Sequence, residues 1–147
     1  MVYLISACLL GEACRYDGKS KPIPPAIAAL AAEHTLIPVC PELLGGLSTP
    51  RTPAERQGTS VINQKGEDVT AAYAKGAEEV LRLARLYGAR AALFKAKSPA
   101  CGVGAIYDGS FSRRLTEGNG VAAEALLAAG IPVFTEAQIE DLKAILA

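Results

Sequence analysis

Four short apolar runs recur along this 147-residue chain, and segments of helical period separate them. No other feature constrains the fold as much, because successive parallel strands need a long crossover, usually a helix, to join them. The runs are Val2–Ala7, Thr35–Val39, Arg90–Lys95 and Ile131–Phe134, each too short for a helix and bounded by turn formers. Between the first two, Pro24-Pro25 opens a helix to about Glu33, with Ile27, Leu30 and Ala31 at helical spacing. Asp68 or Thr70 caps a longer helix that stops at Gly88. Its Tyr73, Ala77, Val80, Leu81 and Ala84 share one face. A third helix runs from Val121 to Ala129 and closes at Gly130. The fourth begins after Thr135, whose spacing to Gln138 is a capping box, and buries Ile139, Leu142, Ile145 and Leu146. The expected architecture is α/β: a single three-layer Rossmann-like domain, 1–147, around a small, mostly parallel sheet with right-handed crossovers.

In an open sheet of this kind, ligands gather outside the carboxyl ends of the strands. Cys8 and Cys40 directly follow apolar runs, and Cys101 follows the third run across the turn Lys97-Ser98-Pro99-Ala100. The topology therefore places all three at one edge. Three thiolates there, with His34 the only histidine, suit a soft metal: zinc with a fourth ligand, or three corners of an iron–sulfur cluster. The competing reading is that free cysteines are buried small hydrophobes. Cys14 lies further along a loop and reads as such a residue or as a surface thiol. Glu42, two residues after Cys40, shares the edge and is a candidate general acid/base, although a solvated loop glutamate is the simpler reading. Ser98 is either a turn cap or a proton relay.

Composition narrows the chemistry further. Fifteen basic residues balance fifteen acidic ones, so no net charge drives non-specific nucleic-acid binding. Tryptophan is absent, and a platform of many stacked rings is not expected. The N-terminus lacks a basic n-region, and no apolar stretch is long enough to span a bilayer. A cytoplasmic protein with free thiols is expected. Residues 43–66 form the longest irregular stretch, with a short strand at Thr59–Asn63 the exception. Arg15, Arg51, Glu55 and Arg56 are either substrate anchors or loop-locking ion pairs. Ile106–Phe111 reads as a small hairpin, and Gly118-Asn119-Gly120 at a helix start is a weak anion-binding candidate.

Several motifs together resemble the thiouracil desulfurase family. They are Ser6-Ala7-Cys8-Leu9-Leu10-Gly11, Arg15-Tyr16-Asp17-Gly18, Pro38-Val39-Cys40-Pro41-Glu42, Gly45-Gly46-Leu47, Pro50-Arg51, Lys97-Ser98-Pro99-x-Cys101-Gly102 and Ile106-Tyr107-Asp108-Gly109-x-Phe111. The resemblance implies a [4Fe–4S] cluster held by Cys8, Cys40 and Cys101, with one iron open to a thiocarbonyl sulfur. It implies Glu42 and Ser98 as catalytic residues, and it carries no role onto Cys14. The expected reaction is non-redox desulfuration of a small thiolated pyrimidine, C=S to C=O with release of hydrogen sulfide. Desulfuration of 4-thiouridine in nucleotides or tRNA is one alternative; a non-catalytic metal- or cluster-binding protein is another. A metal-free cysteine nucleophile would want a nearby base, and His34 is expected to face away from the site.

Overall fold

The computed structural model describes residues 1–145. The chain starts with β1 (Val2–Ser6), a 3-10 turn (Ala7–Leu10), α1 (Pro25–Glu33) and β2 (Thr35–Val39). Then come α2 (Pro41–Leu44), β3 (Ala54–Gln57), β4 (Ser60–Asn63), α3 (Thr70–Tyr87) and β5 (Ala91–Phe94). The remainder is β6 (Ala105–Tyr107), β7 (Leu115–Glu117), α4 (Val121–Ala128), β8 (Val133–Thr135), a 3-10 turn (Glu136–Gln138) and α5 (Ile139–Ala144).

The main sheet has the order β2-β1-β5-β8, with every pair parallel. Its central strands β1 and β5 are buried on both faces, which is why they read as unbroken apolar runs rather than alternating ones. Pro38, opposite Ile5, is tolerated because β2 is an edge strand. On one face, Tyr3, Ile5, Ala91 and Leu93 pack with Ile27 and Leu30 of α1 and Ile139 and Leu142 of α5. On the other, Leu4, Ala92 and Phe94 pack with Tyr73, Ala77, Val80 and Ala84 of α3 and Ala122 and Leu126 of α4. Each fully buried Leu or Ile in these two layers is worth about 1.5–3 kcal/mol. The three-layer α/β expectation holds. Ala31 is exposed and does not join Ile27 and Leu30 in the core; Leu146 lies outside the described residues.

Helix ends follow the local chemistry. Gly88, at φ 64°, closes α3 with its N–H on the carbonyls of Ala84 and Arg85. At the other end Asp68 accepts the N–H of Thr70. The Thr135–Gln138 capping box forms as expected, although the turn it caps is 3-10 before α5 begins.

Two expectations need correction. The 43–66 stretch holds more than the strand expected at Thr59–Asn63, which is β4: α2 reaches Leu44, and β3 pairs with β4 in an antiparallel hairpin. Gly58, at φ 62°, allows the tight Gly58-Thr59 connection that pairs the two strands. The hairpin expected at Ile106–Phe111 instead pairs β6 with β7, leaving a turn of residues 108–114 between them. The exposed Leu-Thr-Glu sequence of β7 carries no apolar alternation to announce a strand.

Candidate active site

Sheet order 2-1-5-8 means that the chain leaves β1 first toward one side of the sheet and later toward the other. The resulting switch lies between β1 and β5, where a crevice opens at the carboxyl ends. A cavity of about 610 Å³ occupies it, lined by Ser6, Cys8, Cys14, Cys40, Glu42, Arg51, Tyr73, Ser98 and Cys101 among others. Cys8 sits in the 3-10 turn after β1, Cys40 at the junction of β2 and α2, and Cys101 in the turn after β5. Cys8, Cys40 and Cys101 all line this one cavity, as expected from their shared edge, and all four cysteines of the chain are free thiols.

Glu42 is 8% exposed and is held from three sides. The Tyr73 hydroxyl donates to its Oε2 at 3.4 Å, the Arg51 guanidinium lies 3.8 Å from the same oxygen, and the Cys40 thiol lies 3.9 Å from Oε1. The sequence places it there because Pro41 starts α2 directly after Cys40, so one turn of helix turns Glu42 inward. Burial, reinforced by the Glu42 charge, pushes the Tyr73 hydroxyl well up, so it stays protonated and donates. Arg51 is an anchor of the site rather than a surface ion pair, since both partners are nearly buried. Helical spacing places Tyr73 in the core face of α3 and does not report that its hydroxyl reaches Glu42.

Ser98 caps its turn, one of the two roles expected of it. Its Oγ accepts the N–H groups of Ala100 and Cys101, each at 3.1 Å, which shapes the cysteine turn. Its hydroxyl also pulls the Cys101 thiol down, against a larger upward push from burial. Ser6 also reaches Cys101 and accepts the Lys95 N–H at 2.9 Å, a contact that strand periodicity could not reveal.

Cys14 is not a surface thiol. It is 5% exposed, lines the same cavity, and its carbonyl lies 3.9 Å from the Cys40 sulfur. Its thiol contacts those of Cys8 and Cys40: the hydrogen bond with Cys40 pulls it down, but the bond with Cys8 and burial together raise it to about 11. The Cys14 hydrogen bond holds Cys8 below the ordinary thiol range against burial. Cys40 is pushed up by its bond with Cys14, by burial and by the Glu42 charge. Cys101 is pushed up by burial first and then by Glu42.

The donors are spread around the cavity. Among the described residues, no three His, Cys, Asp or Glu side chains converge closely enough to hold one metal ion. Thiols at three adjacent strand ends around a shared cavity suit a polynuclear cluster, whose ligands bind separate irons, better than a single zinc. The anion expectation for Gly118-Asn119-Gly120 is not met. The N–H groups of Gly120, Val121 and Ala122 bond the carbonyls of Gly102, Pro99 and Ala100, so the start of α4 is consumed in shaping the Cys101 turn. His34 lies at the opposite edge, edge-on to Tyr3 and 3.4 Å from the N-terminal amine. No helix of the described residues is long and apolar enough to cross a membrane.

Comparison with known proteins agrees with this geometry. The chain is similar to YbbK of Bacillus subtilis (strain 168), described as uncharacterized, at 41% identity over 95% of this chain and 98% of that one. Among solved structures it is similar to the [4Fe-4S]-dependent thiouracil desulfidase TudS, with TM-score 0.93 and 46% identity over 98% of this chain and 96% of that one. A family model described as 2-thiouracil desulfurase matches residues 3–138, and on that span the chain belongs to the 2-thiouracil desulfurase family.

Proposed function

We propose that this chain is a [4Fe–4S]-dependent thiouracil desulfurase, acting as one unit over residues 1–147. It converts the C=S of a thiolated pyrimidine to C=O and releases hydrogen sulfide. The observation that carries this reading is the convergence of Cys8, Cys40 and Cys101 with Glu42 and Ser98 around one cavity. Cys8, Cys40 and Cys101 would hold three corners of the cluster, and when bound its fourth iron supplies a soft Lewis acid for a thiocarbonyl sulfur. Cys14 supports two of those ligands by contact and is assigned no iron.

The residues do the proton work. Glu42, kept in place by Arg51 and Tyr73, takes a proton from a water aimed at the thiocarbonyl carbon. The Ser98 hydroxyl, with its oxygen committed to two backbone N–H groups, holds or returns a proton at the departing sulfur. Water adds and hydrogen sulfide leaves, so the reaction balances with no net electron transfer. Free thiols throughout the chain suit a reducing compartment, and we assign the protein to the cytoplasm.

The cationic side chains of Arg15, Lys97 and Arg113 also line the cavity, which favours a second reading in which the substrate is a 4-thiouridine nucleotide. The test is iron and acid-labile sulfide on anaerobically reconstituted protein, followed by turnover of 2-thiouracil and of 4-thiouridine monophosphate. Stoichiometric iron and sulfide with hydrogen sulfide release is expected, and both are lost in Cys101→Ala. Zinc in place of iron, or wild-type turnover by Glu42→Gln, overturns the reading.

A further inference from the structure

Among the described residues, three that are not glycine have left-handed backbone: Lys97 at φ 70°, Phe111 at 57° and Arg113 at 62°. All three line the cavity. Such a conformation is unfavourable for a residue with a Cβ and persists where the surroundings over-determine it. Phe111 and Arg113 belong to the turn between β6 and β7, and what holds that turn is the β3–β4 hairpin. Glu55 on β3 accepts, through Oε1, the N–H of Gly109 at 3.0 Å and of Phe111 at 3.1 Å. Gln57 donates to the Gly109 carbonyl at 2.9 Å. Gly109, at φ 93°, is pressed so close that a Cβ there would meet Gln57 Cγ at 2.5 Å and the Arg56 carbonyl at 3.1 Å. Among the described residues no Lys or Arg forms an ion pair with Glu55; its carboxylate serves the turn.

We infer that Glu55 is a positioning residue for the substrate: by pinning the 108–113 turn it presents the Phe111 ring to the cavity as the wall against which a planar pyrimidine stacks. The inference rests on the desulfurase reading of this site and adds how the ring is held. A phenyl face with few rotatable bonds is a low-entropy partner for a flat heterocycle, and removing such a face typically weakens binding of a base by about tenfold or more. Thiouracils present that flat face, whereas a saturated, puckered pyrimidine does not.

Calorimetric titration of the reconstituted protein with uracil and with 5,6-dihydrouracil tests this without requiring turnover. The wild-type chain is expected to prefer the planar ring by about tenfold, and Phe111→Leu and Glu55→Ala to lose the preference. Glu55→Gln keeps it, because its side-chain carbonyl still accepts both N–H groups. In steady state, KM for 2-thiouracil rises about tenfold in Phe111→Leu and Glu55→Ala with a much smaller change in kcat. Phe111→Leu leaves the Glu55 hydrogen bonds in place, so it carries the test if Glu55→Ala does not fold. Equal weakening toward both rings, or uracil binding indifferent to both substitutions, overturns the clamp. A wild-type chain with intact ring preference and no desulfuration overturns the desulfurase reading and leaves the clamp standing.

Discussion

At the scale of single residues, Ser98 is the place where a turn cap and the proposed proton donor coincide. Its oxygen accepts two backbone N–H groups, and its hydroxyl pulls the Cys101 thiol down. Ser98→Ala therefore removes a cap and a donor together. Loss of the cap is expected to destabilise the protein by about 1–2 kcal/mol, read from denaturant midpoints at constant slope. Loss of the donor is expected to lower kcat about 10²-fold or more. Ser98→Thr, which keeps the hydroxyl, should restore most of both. An unchanged kcat in Ser98→Ala with a shifted midpoint would reduce the residue to its turn. Proximity in sequence to Pro99 makes the cap legible; the line from hydroxyl to Cys101 depends on how the turn is folded back by α4.

At the scale of elements, the placement of Glu42 depends on the contact between α2 and α3. A Cβ on Gly76 would lie 2.0 Å from the Pro41 carbonyl, and one on Gly45 would lie 2.0 Å from the Ala72 carbonyl. The two glycines let the helices meet backbone to backbone, and the same contact holds Cys40 and Glu42 against the cavity. Gly76→Ala would stabilise an isolated helix by about 1 kcal/mol. Here the overlap decides the sign, and a net loss of about 1–3 kcal/mol is expected, with lowered iron content after reconstitution. A higher melting temperature with full iron loading would show that the two helices separate at little cost. Gly76 inside an amphipathic 18-residue helix hinted at close approach, but its partner could not be named from the sequence.

At the scale of the whole molecule, Glu136 ties the end of β8 to the segment leading from β5 into the Cys101 turn. Its carboxylate accepts from the Lys95 ammonium and the Ala96 N–H, each at 2.8 Å. Burial raises its pKa, but these hydrogen bonds outweigh burial and hold it below the ordinary value of 4.5. The unfolded chain thus binds this proton more tightly than the folded one. The stabilisation is complete above the unfolded value and fades as pH falls through the folded one. Glu136→Gln is expected to cost about 1–2 kcal/mol at neutral pH, since both partners are partly solvated. It should also flatten the loss of stability below about pH 4.5, measured as melting temperature against pH. An acid limb identical to that of the unsubstituted chain would place the titrating group elsewhere.

The sequence by itself determined the layer order, because apolar runs alternating with helical segments call for parallel strands bridged by covering helices. It also determined that Cys8, Cys40 and Cys101 share an edge, since each follows a strand of one sheet, Cys101 across a turn, and the carboxyl ends coincide. The fold legible this way covered the four main strands and the four longer helices. What it missed were the elements with little apolar periodicity, β3 and β7, and the one-turn α2. Only the tertiary structure decided that Arg51 and Tyr73 grip Glu42, that Cys14 stands among the other thiols, and that Glu55 pins the Phe111 turn. Those contacts join residues far apart in the chain through polar atoms. Such pairings leave no period in a sequence, because distance in space, and not spacing along the backbone, sets their energy.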